Sequence, residues 1–403
     1  MYAVMLDWKK NEYKKNFLSI VLLGIVLRVL LLLFLGTDGQ SDWEYGIIAE
    51  NIVDGKGYSF YYFEDGKLTH EINENSNPAP SAYMAPGYVY LLVAIKLVSN
   101  NYLENYIAFG FNLLFYIATM FYLFRITESL YNGKVALIAI LIYTLIPEFI
   151  YTSYSLGTTQ IYHLFLTLII FYSLKSTRRS KFTLPIILGI AILFRFELFL
   201  LLMMIVILML IRKNYAQVLL LIVIPSLFLT PWVIRNQQTF NEFIPFSTTG
   251  GLNLYRGSNE IMIGGWHNFN TLEKLSNFKG DTSKIELFLN DMYKEEVVNY
   301  ITSDYTTSSI NFVKKFFYYW FVNPNEEKAL NIMYIIPWFV LLSLSIVGIV
   351  RYKKLPSMIV IIIVYHTLLA VLFIPLLRYQ NMMKIVLIPI AAYGLIELFK
   401  KEK

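Results

Sequence analysis

The sequence predicts an all-α polytopic membrane protein, and three observations predict it. Of 403 residues, 57% are apolar and the mean hydropathy is +0.53, more than a water-soluble chain sustains. Apolar runs long enough to cross a bilayer recur along nearly the whole chain. The short loops after alternate runs are rich in Lys and Arg, as cytoplasmic loops are. The net charge of +6 therefore reports loop orientation and not a nucleic-acid partner. There is no Cys, which excludes disulfides and thiolate metal sites.

The elements follow in order. Lys9, Lys10, Lys14 and Lys15 precede the first run, 17–36, and place the N-terminus in the cytoplasm. No small-residue cleavage site follows that run, so it reads as a span and not as a signal peptide. Residues 37–104 are polar, with acids in excess, and form a first outer loop. Within it, 86–99 has too few apolar residues to cross and contains Lys96; it reads as an interfacial or re-entrant helix on the outer face. Spans are expected at about 105–124, 135–152 and 159–174. The stretch 182–211 is interrupted by Arg195-Phe196-Glu197 and reads as two short helices meeting on the outer side.

A span at about 216–232 leads to a second outer region, 235–329, where Gly250-Gly251 and Gly264-Gly265 mark turns. Ser283-Lys284-Ile285-Glu286 has capping-box spacing and opens a helical pattern through Leu289, Met292 and Val297. Residues 311–322 read as an aromatic interfacial helix. Spans at about 330–350, 356–374 and 380–399 complete the chain.

Arg125 and Lys134, the Lys175–Lys181 loop, Arg212 and Lys213, Arg351, Lys353 and Lys354, and Lys400, Lys401 and Lys403 then all fall inside. This requires about ten crossings with both termini cytoplasmic. The organisation is an N-terminal transmembrane module 1–234 carrying loop 37–104, an outer subdomain 235–329, and C-terminal helices 330–403.

Several charges stand where apolar residues are expected. Arg28 lies inside the first span, and Arg195, Glu197, Arg235, Arg256 and Arg378 fall on the outer side. Ionisable groups at membrane depth face a protein interior or a watery cavity, or else snorkel. Several guanidinium groups on one cavity suit an anionic, lipid-borne ligand, because their planar donors match phosphate oxygens. His70, His163, His267 and His366 are scattered and read as packing or surface residues.

Four stretches, in this order, carry a resemblance. Asp42 to Tyr58 contains an acid, a Tyr, Ala49-Glu50-Asn51 and Gly55-Lys56-Gly57-Tyr58. Ala82-Tyr83-Met84-Ala85-Pro86-Gly87-Tyr88 follows. Thr230-Pro231-Trp232-Val233-Ile234-Arg235-Asn236 continues to Pro245, Gly250 to Leu254 and Gly257, and Arg378-Tyr379 opens the last span. With these the chain resembles the GT-C class of integral-membrane glycosyltransferases. Its nearest likeness is to the branch with the lipid A aminoarabinose transferase and the protein O-mannosyltransferases.

The resemblance implies a GT-C-like fold and a polyprenyl-phosphate-linked sugar donor. It also implies transfer at the outer face of the plasma membrane to a glycan, lipid or protein acceptor. An acid in the family's first outer loop is essential, and Asp42 matches it. Asp42 would accept the acceptor hydroxyl's proton as C1 is attacked; Glu44, two residues on, is the alternative base. Asp42 also stands where a helix N-cap would, before Tyr45–Val53. Arg378 with Tyr379, Arg235 and Arg195 are the candidates for the leaving phosphate. Tyr45, Tyr83, Pro86, Tyr88, Gln160, Glu197 and Arg256 are the candidate cavity residues.

Two departures from the family pattern bear on the site. Met84-Ala85 stand before Pro86 where some relatives have Lys, and Thr158-Thr159-Gln160 stand where some relatives have an acid. Gln160 is a poor metal ligand, so no metal site is assigned; a divalent cation stays open, and no other cofactor is implied. The competing reading is a transporter or flippase of a lipid-linked or anionic substrate. A non-catalytic assembly factor is the third. Transporters often carry internal repeats, and none is evident here.

Overall fold

The structure is a computed structural model that describes residues 11–36, 44–64, 67–69, 77–99, 103–155, 157–259, 278, 281–352 and 355–400. Asp42, His70, His267, Gly264-Gly265 and the basic residues Lys9, Lys10, Lys353, Lys354, Lys401 and Lys403 lie outside these. The described chain is helical apart from a two-stranded antiparallel ribbon, β1 (Tyr62–Glu64) with β2 (Lys67–Thr69), in the first outer loop.

Among the described residues five helices are long and apolar enough to cross a membrane, counting α1 (Asn11–Leu35) by its Tyr13–Leu35 stretch. The other four are α4 (Glu104–Leu130), α10 (Tyr215–Phe240), α14 (Ile332–Tyr352) and α16 (Leu377–Phe399). The expected span 135–152 is a bent pair, α5 (Gly133–Leu145) and α6 (Pro147–Tyr154), at 61°. Pro147 is the cause. It lacks an N–H and pushes Ile146 out of the helical region, to φ −65° and ψ 119°.

Shorter apolar helices are α7 (Thr159–Ser173), α9 (Leu198–Ile211) and α15 (Ser357–Leu372). Between α8 (Arg178–Phe194) and α9 the chain breaks at Arg195, which is extended, as its polar insertion predicts. Helix α10 runs further than expected, through Pro225 and Pro231 to Phe240, and stops where Asn241 turns left-handed at φ 54°. Its last turns are held from the side. Trp232 Nε1 donates to Phe246 O (2.8 Å) and Asn236 Nδ2 to Ile244 O (2.9 Å).

The helices of the two regions expected on the outer side are α2 (Glu44–Val53), α3 (Pro86–Val98), α11 (Gly250–Gly257), α12 (Ile285–Ser303) and α13 (Tyr305–Trp320). Helix α3 has 13 residues, too few to span, and its Lys96 pairs with Glu50 and Glu104. The expected capping box before α12 is not formed: Asp281 accepts from the Ser283 N–H instead (3.0 Å). Glu286 turns away to other partners, described below.

The basic loops meet at one end of the bundle. Tyr131 stacks on Tyr393 (4.5 Å) and packs against Tyr352 (4.7 Å), whose hydroxyl donates to Leu130 O (3.1 Å). Arg212 donates to Ser357 Oγ (2.6 Å) and Gln217 to Lys181 O (3.1 Å). A 26-residue helix such as α10 rises about 39 Å, so its Arg235 end stands well away from that cluster. A second apolar core sits at the Arg235 end. It joins Ile48, Phe60, Tyr62, Tyr88 and Leu92 of the first outer loop with Trp232, Phe240, Ile285 and Leu287. The two regions expected on the outer side thus share one core.

Candidate active site

Local turns first shape the loop. Asn51 is buried and donates to Ser59 O (3.0 Å), while Gly55 (φ 76°) and Gly57 (φ 73°) take the left-handed turns between them. Tyr58 then reaches back, and its hydroxyl donates to Met84 O (2.8 Å). Pro86 opens α3 at its first turn. Gly87 lies so close to the end of α8 that a Cβ would meet Phe194 at 2.6 Å and Leu193 O at 2.9 Å. The second motif is therefore pressed against the turn that carries Arg195.

Arg235 closes this assembly. Its Nη1 donates to Ser81 O (2.6 Å) and its Nη2 to Tyr58 O (2.8 Å). The rings of Tyr58 and Trp232 surround it at 5.1 and 5.4 Å. Its donors are engaged by the loop, so it ties the first three motifs together and does not present a free fork to a phosphate. Trp232, 6% exposed, serves the same junction.

Glu286, which its sequence spacing assigns to a capping box, instead holds the loop from the other side. It accepts from Ala82 N (2.8 Å) and Thr248 Oγ1 (2.7 Å). Burial raises its pKa, and hydrogen bonds from Ser81, Thr248 and Ala82 oppose the rise. Its place beside Ile285 on the buried face of α12 is the sequence signal that could have found it.

Two further arginines face a different space. Arg195 donates to Thr158 Oγ1 (2.8 Å) and pairs with Glu197. Its guanidinium lies 5.8 Å from the Tyr379 ring, and Arg378 lies 5.2 Å from the same ring. Tyr379 thus stands beside two cations. Arg378 keeps exposed surface beside the Tyr379 ring.

Glu44 and Tyr45, at the start of α2, share this space. Burial pushes the Tyr45 phenol up to about 12; Arg195 and Arg378 draw it down, and Glu197 and Glu44 push it up. Tyr45 meets the Tyr88 ring edge-on at 5.2 Å. Glu44 also acts on Tyr83, which burial pushes up to about 12 against the pull of Arg256. The structure therefore brings Glu44, Arg195, Glu197 and Arg378 within electrostatic reach of Tyr45, whose ring meets Tyr88, sets Tyr379 beside both arginines, and puts Tyr83 within reach of Glu44 and Arg256. Tyr45 and Tyr83 stay neutral at pH 7 and can donate hydrogen bonds.

Gln160 is not among them. It is fully buried inside the bundle, donating to the Tyr143 hydroxyl (3.0 Å) and accepting from Ser153 Oγ (3.1 Å). Ser153 Oγ also accepts from Arg28 Nε (2.9 Å), so Gln160 belongs to the network that locks the first span. His163 and His366 are buried packing residues, hydrogen-bonded to Tyr143 (3.0 Å) and Tyr162 (3.1 Å). Among the described residues no group of three or more His, Asp or Glu gathers. A buried ion pair inside the bundle, Lys384 Nζ with both oxygens of Glu148 (2.6 Å), also escaped the sequence reading. Two ionisable residues within apolar runs were its signal.

A family profile described as dolichyl-phosphate-mannose-protein mannosyltransferase matches residues 83–234. No curated protein matches the chain in sequence. Among solved structures, the Archaeoglobus fulgidus oligosaccharyltransferase AglB with an inhibitory peptide and a dolichol-phosphate superposes with a TM-score of 0.58 at 13% identity. That match covers 98% of this chain and 51% of that one. The same enzyme tethered to an acceptor peptide with an NVT sequon gives 0.60 at 12%, over 97% and 50%. This chain thus spans about half the length of those proteins. The GT-C resemblance read from the sequence is borne out, and the chain is a multi-pass helical membrane protein with a GT-C-like fold.

Proposed function

We propose that this GT-C-fold protein is a membrane glycosyltransferase that moves a sugar from a polyprenyl-phosphate donor to an acceptor hydroxyl. The observation that carries this reading is the meeting of Glu44, Arg195, Arg378 and Tyr379 from three distant parts of the chain. The profile match over residues 83–234 and the dolichol-phosphate bound by AglB support the donor class.

In this mechanism Asp42 or Glu44 takes the proton from the acceptor hydroxyl as that oxygen attacks C1. The bond from C1 to the phosphate oxygen breaks, and its electron pair leaves with the lipid phosphate. Arg378 stabilises the charge that develops there, with Tyr379 and Arg195 beside it. A single displacement of this kind inverts C1. The Tyr83 and Arg256 side of Glu44 faces the acceptor. The site lies at the outer face of the plasma membrane, with both termini in the cytoplasm.

The test is donor binding. Undecaprenyl phosphate is titrated into detergent-solubilised wild type, Asp42→Asn and Arg378→Ala while thermal stability is followed. A ligand that binds only the folded state adds about 2.7 kcal/mol at ~100 times its Kd. Wild type and Asp42→Asn are stabilised and Arg378→Ala is not. Folded wild type that gains no stability overturns the reading, as does failure to release polyprenyl phosphate with any acceptor class.

A further inference from the structure

Arg378 and Tyr379 follow directly on the connection from α15 to α16, and that connection does not hold itself. Leu376, at the N-cap of α16, offers no side-chain cap, so the first-turn N–H groups need partners from elsewhere. The second outer region supplies one for Leu377 and also binds the carbonyls of the connection. Glu326 Oε2 accepts from Leu377 N (2.7 Å). Asn323, 2% exposed, donates to Pro375 O (3.2 Å). Lys315 Nζ, also buried, donates to Phe373 O (3.3 Å). Gln380, one turn into α16, donates to Tyr319 O (2.6 Å). On the far side, a Cβ on Gly257 would fall 1.6 Å from Phe373 O, so α11 is packed directly on the same backbone.

Among these partners Glu326 is distinctive. Its carboxylate caps a helix that belongs to another part of the chain, at the end where the macrodipole favours an anion. It also lies within electrostatic reach of Arg378. Glu326 itself is fixed at the start of a short 3-10 turn, its N–H donating to Asn323 O (3.3 Å) and its carbonyl accepting from Ala329 N (2.8 Å). A residue held on its own backbone and bonded to the first N–H of α16 sets the direction in which that first turn points.

We propose that Glu326 is a positioning residue for Arg378: by capping α16 from the outer region it orients the turn from which Arg378 and Tyr379 reach the donor's lipid phosphate. This rests on the function proposed above. It makes the outer region a part of the donor site, although no donor contact comes from Glu326 itself.

The experiment is a double-mutant cycle on undecaprenyl phosphate affinity with the full-length protein in detergent. Glu326→Ala weakens binding by about tenfold, the order expected for loss of a cap. Glu326→Gln, which keeps an acceptor oxygen for Leu377 N, binds as wild type does. In the Arg378→Ala background, Glu326→Ala weakens binding no further. If Glu326→Ala does not fold, Glu326→Asp, one methylene shorter, enters the cycle in its place.

Wild-type affinity in Glu326→Ala, with weak binding in Arg378→Ala, overturns this inference and leaves the donor site standing. An equal loss in both backgrounds also overturns it, because Glu326 then acts independently of Arg378. So does a Glu326→Gln variant as weak as Glu326→Ala. Wild-type affinity in Arg378→Ala overturns the donor site and this inference together.

Discussion

Arg28 has no ion partner among the described residues, yet it is fully buried. It survives there because three acceptors take its donors: Ser153 Oγ (2.9 Å), Phe149 O (2.9 Å) and Gly24 O (3.1 Å). The Tyr116 ring lies 3.7 Å away on its face. Hydrogen bonds to a charged donor contribute about 1.5–3 kcal/mol each, and a buried acceptor left alone adds its own cost. Arg28→Ala should therefore lower stability by about 3 kcal/mol or more in thermal melts, and Arg28→Lys should not restore it, since an ammonium cannot span the three acceptors. Lys315 makes the opposite case, a buried cation with little to hold it. Burial draws its pKa from 10.5 down to about 7. The unfolded chain then binds more protons than the folded one between those values, so stability rises with pH across that window. Melts of wild type and Lys315→Met should differ by a constant amount below about pH 7. Wild type should gain on the variant as pH climbs toward 10.5; a gap that does not change with pH would refute the assignment.

At the scale of elements, α14 and α16 pack backbone against backbone. A Cβ on Gly348 would meet Ile390 O at 2.2 Å, and one on Gly394 would meet Leu344 O at 2.1 Å. Small residues let two helix backbones approach in a membrane, where packing and not water drives association. The obstructing atoms are backbone, so they cannot swing aside. Gly394→Val should cost more than the ~1–3 kcal/mol of ordinary overpacking and should abolish the monodisperse peak in detergent chromatography; a variant that elutes and melts as wild type would show that the helices are not tightly packed there. The break at Arg195 was legible because a charged pair interrupts an apolar run. The bend at Pro147 is as local in cause, but a 135–152 run is long enough to pass for one straight helix. The capping box at Ser283 was a spacing that the fold overrode, because Glu286 finds better-buried donors in Ala82 and Thr248.

For the whole molecule, the alternation of basic and polar connections predicts which end faces the cytoplasm, and the contacts between Tyr131, Tyr352 and Tyr393 put several basic connections at one end. The natural absence of Cys makes a direct test simple. Tyr215, 66% exposed, starts α10 at the basic end, and Phe243, 74% exposed, follows its other end. On intact cells a membrane-impermeant maleimide should label Phe243→Cys and spare Tyr215→Cys, and permeabilised cells should label both. Labelling of Tyr215→Cys alone on intact cells would invert the topology and move the candidate site to the cytoplasmic side.

The sequence by itself determined the helical membrane class, the places of most of its helices and the residues worth watching. Hydropathy, proline breaks and loop charge act over a few neighbouring residues and are legible there. Only the tertiary structure decided which of the watched residues do what. Arg235 and Arg378 look alike in sequence, each an arginine at an outer helix end. Arg235 is taken up by the carbonyls of Tyr58 and Ser81, whereas Arg378 keeps exposed surface beside Tyr379. Gln160 and Glu286 were sorted in the same way, and Glu326 comes into view only in the fold. A polar side chain's role is set by whichever donors and acceptors share its burial, and those come from residues tens or hundreds of positions away, which no local pattern records.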